Sequence, residues 1–283
     1  MNPSIQPEAT QDSASKSLLR KILPTVLWRT GSRAYWWWFN RGRHQAAAVF
    51  SSRRRGSIKR LQELKNIHRG ERCFILGNGP SLNQTDLSLL ENEITFGLNR
   101  IYLLFPKMGF STTYLVSINT LVLEQCAMEL AALPVLKFFT WRARQWFEPT
   151  DDVVYLDTDY TPPADFSLDV SGRVFEGSTV TYVALQLAFH MGFEQVILVG
   201  VDHDFAVKGT PNQVVISKES DQSHFSPDYF GAGFRWQLPD LEASEQAYLM
   251  ARQAYEAAGR QVLDATIGGK LQVFDKVDYH SLF

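Results

Sequence analysis

Beyond about residue 70 the chain reads as short, uninterrupted apolar runs separated by glycine-containing or polar turns. Cys73-Phe74-Ile75-Leu76, Tyr114-Leu115-Val116 and Val196-Ile197-Leu198-Val199 are the clearest of these runs. They are apolar at successive positions instead of alternating, which predicts strands buried on both faces of a parallel sheet. The expected strands are 72–76, 94–97, 113–117, 135–139, 153–156, 195–199 and 261–264. Stretches of helical period lie between them at 85–91, 120–132, 178–191 and 240–258. In the third, Thr179, Val183, Leu187 and Met191 recur every fourth position, Gly192 closes the helix, and a strand follows at once. This alternation predicts an α/β fold: a Rossmann-like, mostly parallel sheet with helices on both faces. Residues 206–239 carry few periodic apolar positions and many Gly, Pro, Ser and Asn, and read as a long loop or lid.

The pattern before residue 67 differs. Residues 1–15 are polar and predict a disordered tail. Residues 16–66 predict a basic helical N-terminal extension, so that the Rossmann-like catalytic domain spans 67–283. In the extension Trp28, Trp36, Trp37, Trp38, Phe39 and Phe50 are interleaved with Arg29, Arg33, Arg41, Arg43 and Arg53-Arg54-Arg55. Charge follows the same division. Residues 1–70 hold 14 Lys+Arg against 3 Asp+Glu, and the remainder holds 14 against 27, for a net charge of −2. Aromatics among arginines suit the headgroup layer of an anionic membrane. They equally suit packing on the domain or on a second copy, which leaves a homo-oligomer open. No nucleic-acid partner is expected, because no recognised motif accompanies the charge.

The two cysteines, Cys73 and Cys126, lie in apolar runs without disulfide or metal spacing, which predicts a reducing compartment. No apolar run reaches the ~18 residues of a membrane span, and no secretory signal is visible. The expectation is a cytoplasmic protein, peripheral on the inner face of the membrane if the arm binds lipid.

The chemistry-bearing residues stand where predicted strands stop. Gly77-Asn78-Gly79-Pro80-Ser81-Leu82 follows the first strand as a tight turn. It is neither a Walker A loop nor a G-x-G-x-x-G fingerprint. Asn99-Arg100 follows the second strand, Asn119 the third, and Gly200 with Asp202-His203-Asp204 the sixth. Ser178-Thr179, after Gly177, opens a helix whose N-terminus suits an anion. In a parallel sheet these ends share one edge and converge on one crevice. Each also has a structural explanation, as an αL turn, an Asx turn or a helix cap. Together they describe a neutral, amide-rich pocket suited to a base, a ribose and a phosphate.

Of six histidines, His203 and His224 are the candidate bases, with Asp202 placed to orient His203. The alternative is that Asp202, His203, Asp204 and His224 gather Mg²⁺ or Mn²⁺ for phosphoryl transfer, with Arg100, Lys208 and Arg235 as the cations.

The chain resembles a domain family named after an archaeal 6-hydroxymethylpterin diphosphokinase. The stretches that carry the resemblance are the 77–82 turn, Phe96–Tyr102, Gly177–Tyr182, Gly200–His203 and Asp264–Gly269. The same domain is similar to the core of flagellin-modifying motility accessory factors. More distantly, the chain resembles small bacterial sialyltransferases that use a CMP-activated sugar. They share the glycine turn, an Asn after the second strand (Asn99), an Asn before a Glu-Gln pair (Asn119, Glu124-Gln125) and a Ser at the helix opening (Ser178). There these positions hold the nucleotide and its phosphate, and transfer needs no metal. Two departures matter. The His that serves as base four residues beyond a Ser-His-aromatic triplet is Asp228 here, after Ser223-His224-Phe225, and Asp204 stands where a phosphate-assisting tyrosine would be.

The resemblance implies a glycosyltransferase that uses a nucleotide-activated sugar, requires no cofactor, and acts on a cell-envelope or lipid-linked glycan acceptor. The alternatives are a Mg²⁺-dependent diphosphokinase acting on a pterin-like alcohol and a non-catalytic nucleotide-binding module. The nucleotide and phosphate residues expected are Gly77, Asn78, Gly79, Pro80, Ser81, Asn99, Arg100, Asn119, Gly177, Ser178, Thr179 and Gly200.

Overall fold

The computed structural model describes residues 46–47, 49–160, 165–205 and 209–283. Residues 52–283 form one unit and residues 1–51 another. The expected tail at 1–15 and most of the tryptophan-rich arm lie outside the described residues.

The apolar runs become β1 (Arg72–Leu76), β2 (Thr95–Leu98), β3 (Tyr114–Ser117), β4 (Leu136–Thr140), β5 (Val153–Asp159), β7 (Gln195–Val199) and β10 (Gln261–Asp264). Two short strands, β6 (Arg173–Phe175) and β11 (Asp275–Lys276), join them. The nine form one sheet in the order β11-β10-β7-β1-β2-β3-β4-β5-β6. Every pairing within it is parallel. The fold is therefore the Rossmann-like α/β architecture that the alternation predicts. Successive side chains point to opposite faces. In β1, Cys73 and Ile75 join the core that contains Val183, Leu187 and Tyr255, while Phe74 stacks on Phe283 with ring centroids 5.7 Å apart.

The strand order places a reversal beside β1. The chain runs outward from β1 to β6 on one side, then returns so that β7 lies against the opposite edge of β1. Open parallel sheets bind ligands outside the carboxyl ends of the strands at such a reversal. The glycine turn after β1 and the Gly200–Asp204 segment after β7 both sit there.

Helices α1 (Ser52–Glu63), α2 (Phe105–Met108), α3 (Thr120–Gln125), α4 (Ala127–Ala131), α5 (Val180–Met191) and α6 (Leu241–Ala257) supply the flanking layers. From Thr181 to Met191 every residue of α5 is buried, because α6 covers the side that the sheet does not. Thr179 caps α5, and Gly192 ends it at φ +97°.

Several elements differ from expectation. The 85–91 helix is a 3₁₀ turn over Leu87–Leu90, and the 120–132 helix breaks at Cys126 into α3 and α4. The anticipated loop at 206–239 contains an antiparallel hairpin of β8 (Val214–Ile216) and β9 (Arg235–Gln237). Three-residue strands are too short to show a period.

The unit also begins earlier than residue 67, because α1 packs on β5. Arg54, nearly fully buried, donates to the carbonyl oxygens of Tyr155 (2.7 Å), Gly172 (3.4 Å) and Ser171 (3.5 Å). Arg53 donates to those of Arg144 (2.7 Å) and Phe147 (3.1 Å). Two arginines read as part of a membrane-facing cluster thus serve as anchors for β5 and the loops beside it. A guanidinium offers five donors in a fixed fork and can satisfy several carbonyls at once.

Candidate functional site

The end of β1 and the end of β7 approach so closely that the turn between β1 and its following 3₁₀ segment requires glycine. Gly77 N–H donates to Val199 O (2.8 Å) and Gly79 N–H to Gly200 O (2.9 Å). A Cβ on Gly77 would lie 2.2 Å from the Gly200 carbonyl oxygen, and one on Gly79 would lie 1.7 Å from Asp202 Oδ2. The glycines answer chain-on-chain packing at the strand ends.

Asp202 completes the junction. Ser81 N–H donates to Asp202 Oδ1 (3.1 Å) and Ser81 Oγ to Oδ2 (2.6 Å). Burial raises the Asp202 carboxyl above its usual range, against the two Ser81 hydrogen bonds. The expectation that Asp202 orients His203 is therefore corrected: the carboxylate faces the glycine turn and fastens it to β7. Pro80 and Ser81 likewise shape the turn, Ser81 being buried beneath it and Pro80 exposed outside.

Beside this junction lies a cavity of about 300 Å³, within the range of small-ligand pockets. Its wall includes Asn78 after β1, Asn99 after β2, Asn119 after β3, Ser178 and Thr179 before α5, and Gly200 after β7. Parallel strand ends thus bring the predicted polar groups to one place. They are not equivalent. Asn119 caps α3, its Oδ1 accepting from Leu121 N–H (2.9 Å). Asn99 sits at φ +48°, its Oδ1 accepting from Ser117 Oγ (2.9 Å). Asn78 Oδ1 is buried without a hydrogen-bond partner among the described residues. An unpaired buried carbonyl costs roughly 1–3 kcal/mol, which a hydrogen-bond donor entering the cavity would relieve. Gly177 and Ser178 are consecutive left-handed residues (φ +52° and +61°) ahead of the Thr179 cap. Gly177 itself stands off the wall, packed against Tyr182 and Ala247.

Arg100 does not reach the cavity. It is buried and donates through Nη1 to the carbonyls of Asp228 (3.1 Å) and Tyr229, and through Nε to Tyr102 Oη (3.1 Å). It anchors the 221–230 segment over the sheet edge. That segment also accepts from Asn83 Nδ2 at Phe225 O (2.8 Å), and Phe225 N–H donates to Asn78 O (3.0 Å). Arg235 is exposed and pairs with Glu124 (3.0 Å), while Lys208 lies outside the described residues. The one Lys or Arg on the described cavity wall is Arg142, which the sequence did not single out; its Nη2 lies 2.5 Å from Glu176 Oε1.

Both candidate histidines line the cavity, each with a carboxylate that sequence reasoning missed. His203, at φ +56°, places Nε2 3.0 Å from Glu245 Oε1 on α6, a carboxylate that is half exposed. His224 places Nδ1 2.7 Å from Asp221 Oδ2, with both side chains at least 89% buried. The His224 ring stacks on Tyr229 with centroids 4.0 Å apart at 8°, and meets Phe230 edge-on at 4.9 Å. Asp228 is exposed, and the structure uses its backbone carbonyl. Among the described residues no group of three or more His, Cys, Asp or Glu is placed to hold a metal ion, so Asp202, His203, Asp204 and His224 do not form the cluster considered as an alternative.

Comparison with known proteins places these features in context. No curated protein matches the chain. Among solved structures, the chain is similar to a MAf glycosyltransferase from Magnetospirillum magneticum AMB-1, with 16% identity and a TM-score of 0.48. The likeness covers 82% of this chain and 39% of that one, so the chain spans about two fifths of its length. A family model described as 6-hydroxymethylpterin diphosphokinase MptE-like matches residues 53–208, which include the glycine turn, Asn99, Asn119, the opening of α5 and the end of β7. With more than half of its length matched, the chain belongs to the 6-hydroxymethylpterin diphosphokinase MptE-like family.

Proposed function

We propose that this protein is a transferase, specifically a metal-independent, sialyltransferase-like glycosyltransferase that uses a nucleotide-activated sugar. The observation that carries the reading is the cavity at the β1/β7 reversal, where Asn78 offers an unpaired buried carbonyl beside Asn99, Asn119 and Ser178. Neutral amides and a helix opening hold a base, a ribose and a phosphate by hydrogen bonds. The described wall carries one guanidinium, Arg142, already balanced by Glu176, which suits a nucleotide monophosphate or diphosphate better than the polyphosphate charge of ATP.

His224 takes the proton of an acceptor hydroxyl, whose oxygen bonds the anomeric carbon. The bond from that carbon to the donor phosphate breaks, and its electron pair leaves with the phosphate. The 209–239 segment roofs the site and excludes water that would hydrolyse the donor. The acceptor is a cell-envelope or lipid-linked glycan. The basic aromatic arm before residue 52 brings the enzyme to the anionic inner face of the membrane. No helix among the described residues is long and apolar enough to cross one.

A second reading is favoured by the family description: Mg²⁺-dependent diphosphoryl transfer from ATP to a pterin-like alcohol. Thermal-shift measurements over CMP, CDP, UDP, GDP, ADP and ATP, with and without Mg²⁺, followed by donor-turnover assays in EDTA, separate the two. Stabilisation by a nucleotide monophosphate or diphosphate and turnover that survives EDTA are expected. Stabilisation by ATP with Mg²⁺ alone would support the diphosphokinase, and binding without turnover of any donor would leave a nucleotide-binding module.

A further inference from the structure

We infer that Asp221 is the positioning residue that makes His224 a base, by fixing which ring nitrogen carries the proton. The inference rests on the role proposed for His224. Asp221 is held from three sides. Ser223 N–H donates to Oδ1 (2.8 Å), Phe230 N–H donates to Oδ2 (3.2 Å), and His224 Nδ1 lies 2.7 Å from Oδ2. Two of these partners are backbone amides, which can only donate. The oxygens of Asp221 are therefore acceptors, and His224 Nδ1 is the protonated nitrogen of the ring.

The opposite nitrogen, Nε2, then carries a lone pair on a side chain that lines the cavity, and it has no hydrogen-bond partner among the described residues. Stacking on Tyr229 and the edge of Phe230 stops the ring from turning over. The Asp221 carboxylate also stabilises the imidazolium that forms when Nε2 takes the acceptor proton. His203 lacks this support, since its carboxylate partner Glu245 is half exposed and the contact is through Nε2 itself.

The spacing of Asp221 and His224, three residues apart in a segment without regular secondary structure, gives no periodic signal. The arrangement exists because Arg100 holds the carbonyls of Asp228 and Tyr229, and Phe225 N–H is bonded to Asn78 O. The pair is thereby tied to the same turn that presents Asn78 to the cavity.

Asp221→Asn tests this. Whichever way the amide is oriented, it cannot accept from all three donors. The ring can give up its Nδ1 proton and the two backbone amides cannot, so the orientation expected keeps the oxygen on the closer amide, Ser223 N–H (2.8 Å against 3.2 Å for Phe230 N–H). Its NH₂ then faces His224 Nδ1 and drives the proton to Nε2, where the nitrogen is no longer a base. Two measurements on the full chain read the change. Imidazole ¹⁵N shifts of His224, assigned with His224→Gln, should report Nδ1–H in the wild type and Nε2–H in Asp221→Asn. Donor turnover should fall about 10²–10⁴-fold in kcat with the donor KM within about threefold, as for a lost tautomer and not lost binding. The ring shifts are independent of activity, so a protein that turns over no sugar donor still tests the tautomer. An Nε2–H tautomer in the wild type overturns the inference. So does an Asp221→Asn protein that keeps wild-type kcat. If Asp221→Asn unfolds, Asp221→Glu is substituted, which keeps the acceptors and should retain the Nδ1–H tautomer; a reversed tautomer there also overturns it.

Discussion

Replacing Asn78 by alanine separates a ligand-binding role from a scaffolding one, because the two predict opposite patterns. Asn78 Oδ1 is buried and unpaired in the described structure, so its removal deletes no protein hydrogen bond at that atom. An unsatisfied buried acceptor costs about 1–3 kcal/mol, which alanine relieves, while the lost side-chain contacts act the other way. The backbone of Asn78 keeps its own anchor, the bond from Phe225 N–H (3.0 Å). Net stability should change by less than about 1 kcal/mol. With ligand bound, the same carbonyl receives a donor in a desolvated cavity, and its loss should weaken binding by about 1–3 kcal/mol, roughly 5- to 150-fold in Kd. Urea denaturation gives the first quantity. Calorimetric titration with the nucleotide that shifts the wild-type Tm most gives the second. A variant that loses more than about 2 kcal/mol of stability yet binds that nucleotide as the wild type does would refute the argument and make Asn78 a turn residue only.

Other consequences concern the junction and the arm. Gly77→Ala places a Cβ 2.2 Å from Gly200 O, so the β1 and β7 ends must part and strain the bonds from Gly77 and Gly79. A loss of about 2–4 kcal/mol in the urea transition is expected, and a full-stability variant would show that the strand ends are not in contact. Asp202→Asn retains an acceptor for Ser81 N–H and a partner for Ser81 Oγ, so activity should persist; abolished turnover in a folded variant would assign the carboxylate to the chemistry. The Asp202 pKa is raised in the folded state, so its favourable effect is present below the unfolded pKa of about 4 and is lost as pH rises through the folded value. The Asn variant should therefore gain stability relative to wild type as pH climbs from about 4 toward 7. Deleting residues 1–51, which leaves Arg53 and Arg54 on their carbonyls, should give a folded domain that no longer sediments with anionic vesicles at low salt. Equal sedimentation of truncated and intact protein would remove the arm from membrane binding.

Much of the architecture is written in local pattern. A run such as Cys73–Leu76, apolar on both faces and bounded by a glycine turn, reads as a strand covered on both sides, and helical stretches between such runs favour a return of the chain for parallel pairing. From this it follows that residues just after the strands share an edge, and Asn78, Asn99, Asn119, Ser178 and Gly200 do line one cavity. Partnerships do not follow. Asp202 belongs to Ser81, 121 positions away, and not to its neighbour His203, which pairs with Glu245 on α6, 42 positions on. Arg54 serves a carbonyl 101 positions away although its sequence context is a basic cluster. Periodicity reports which face a residue occupies, a property of a few neighbouring dihedrals. The atom that a side chain meets depends on strand order and on how elements distant in sequence pack, and those were decided only when the β1/β7 reversal, α6 and the 221–230 segment came together over one sheet edge.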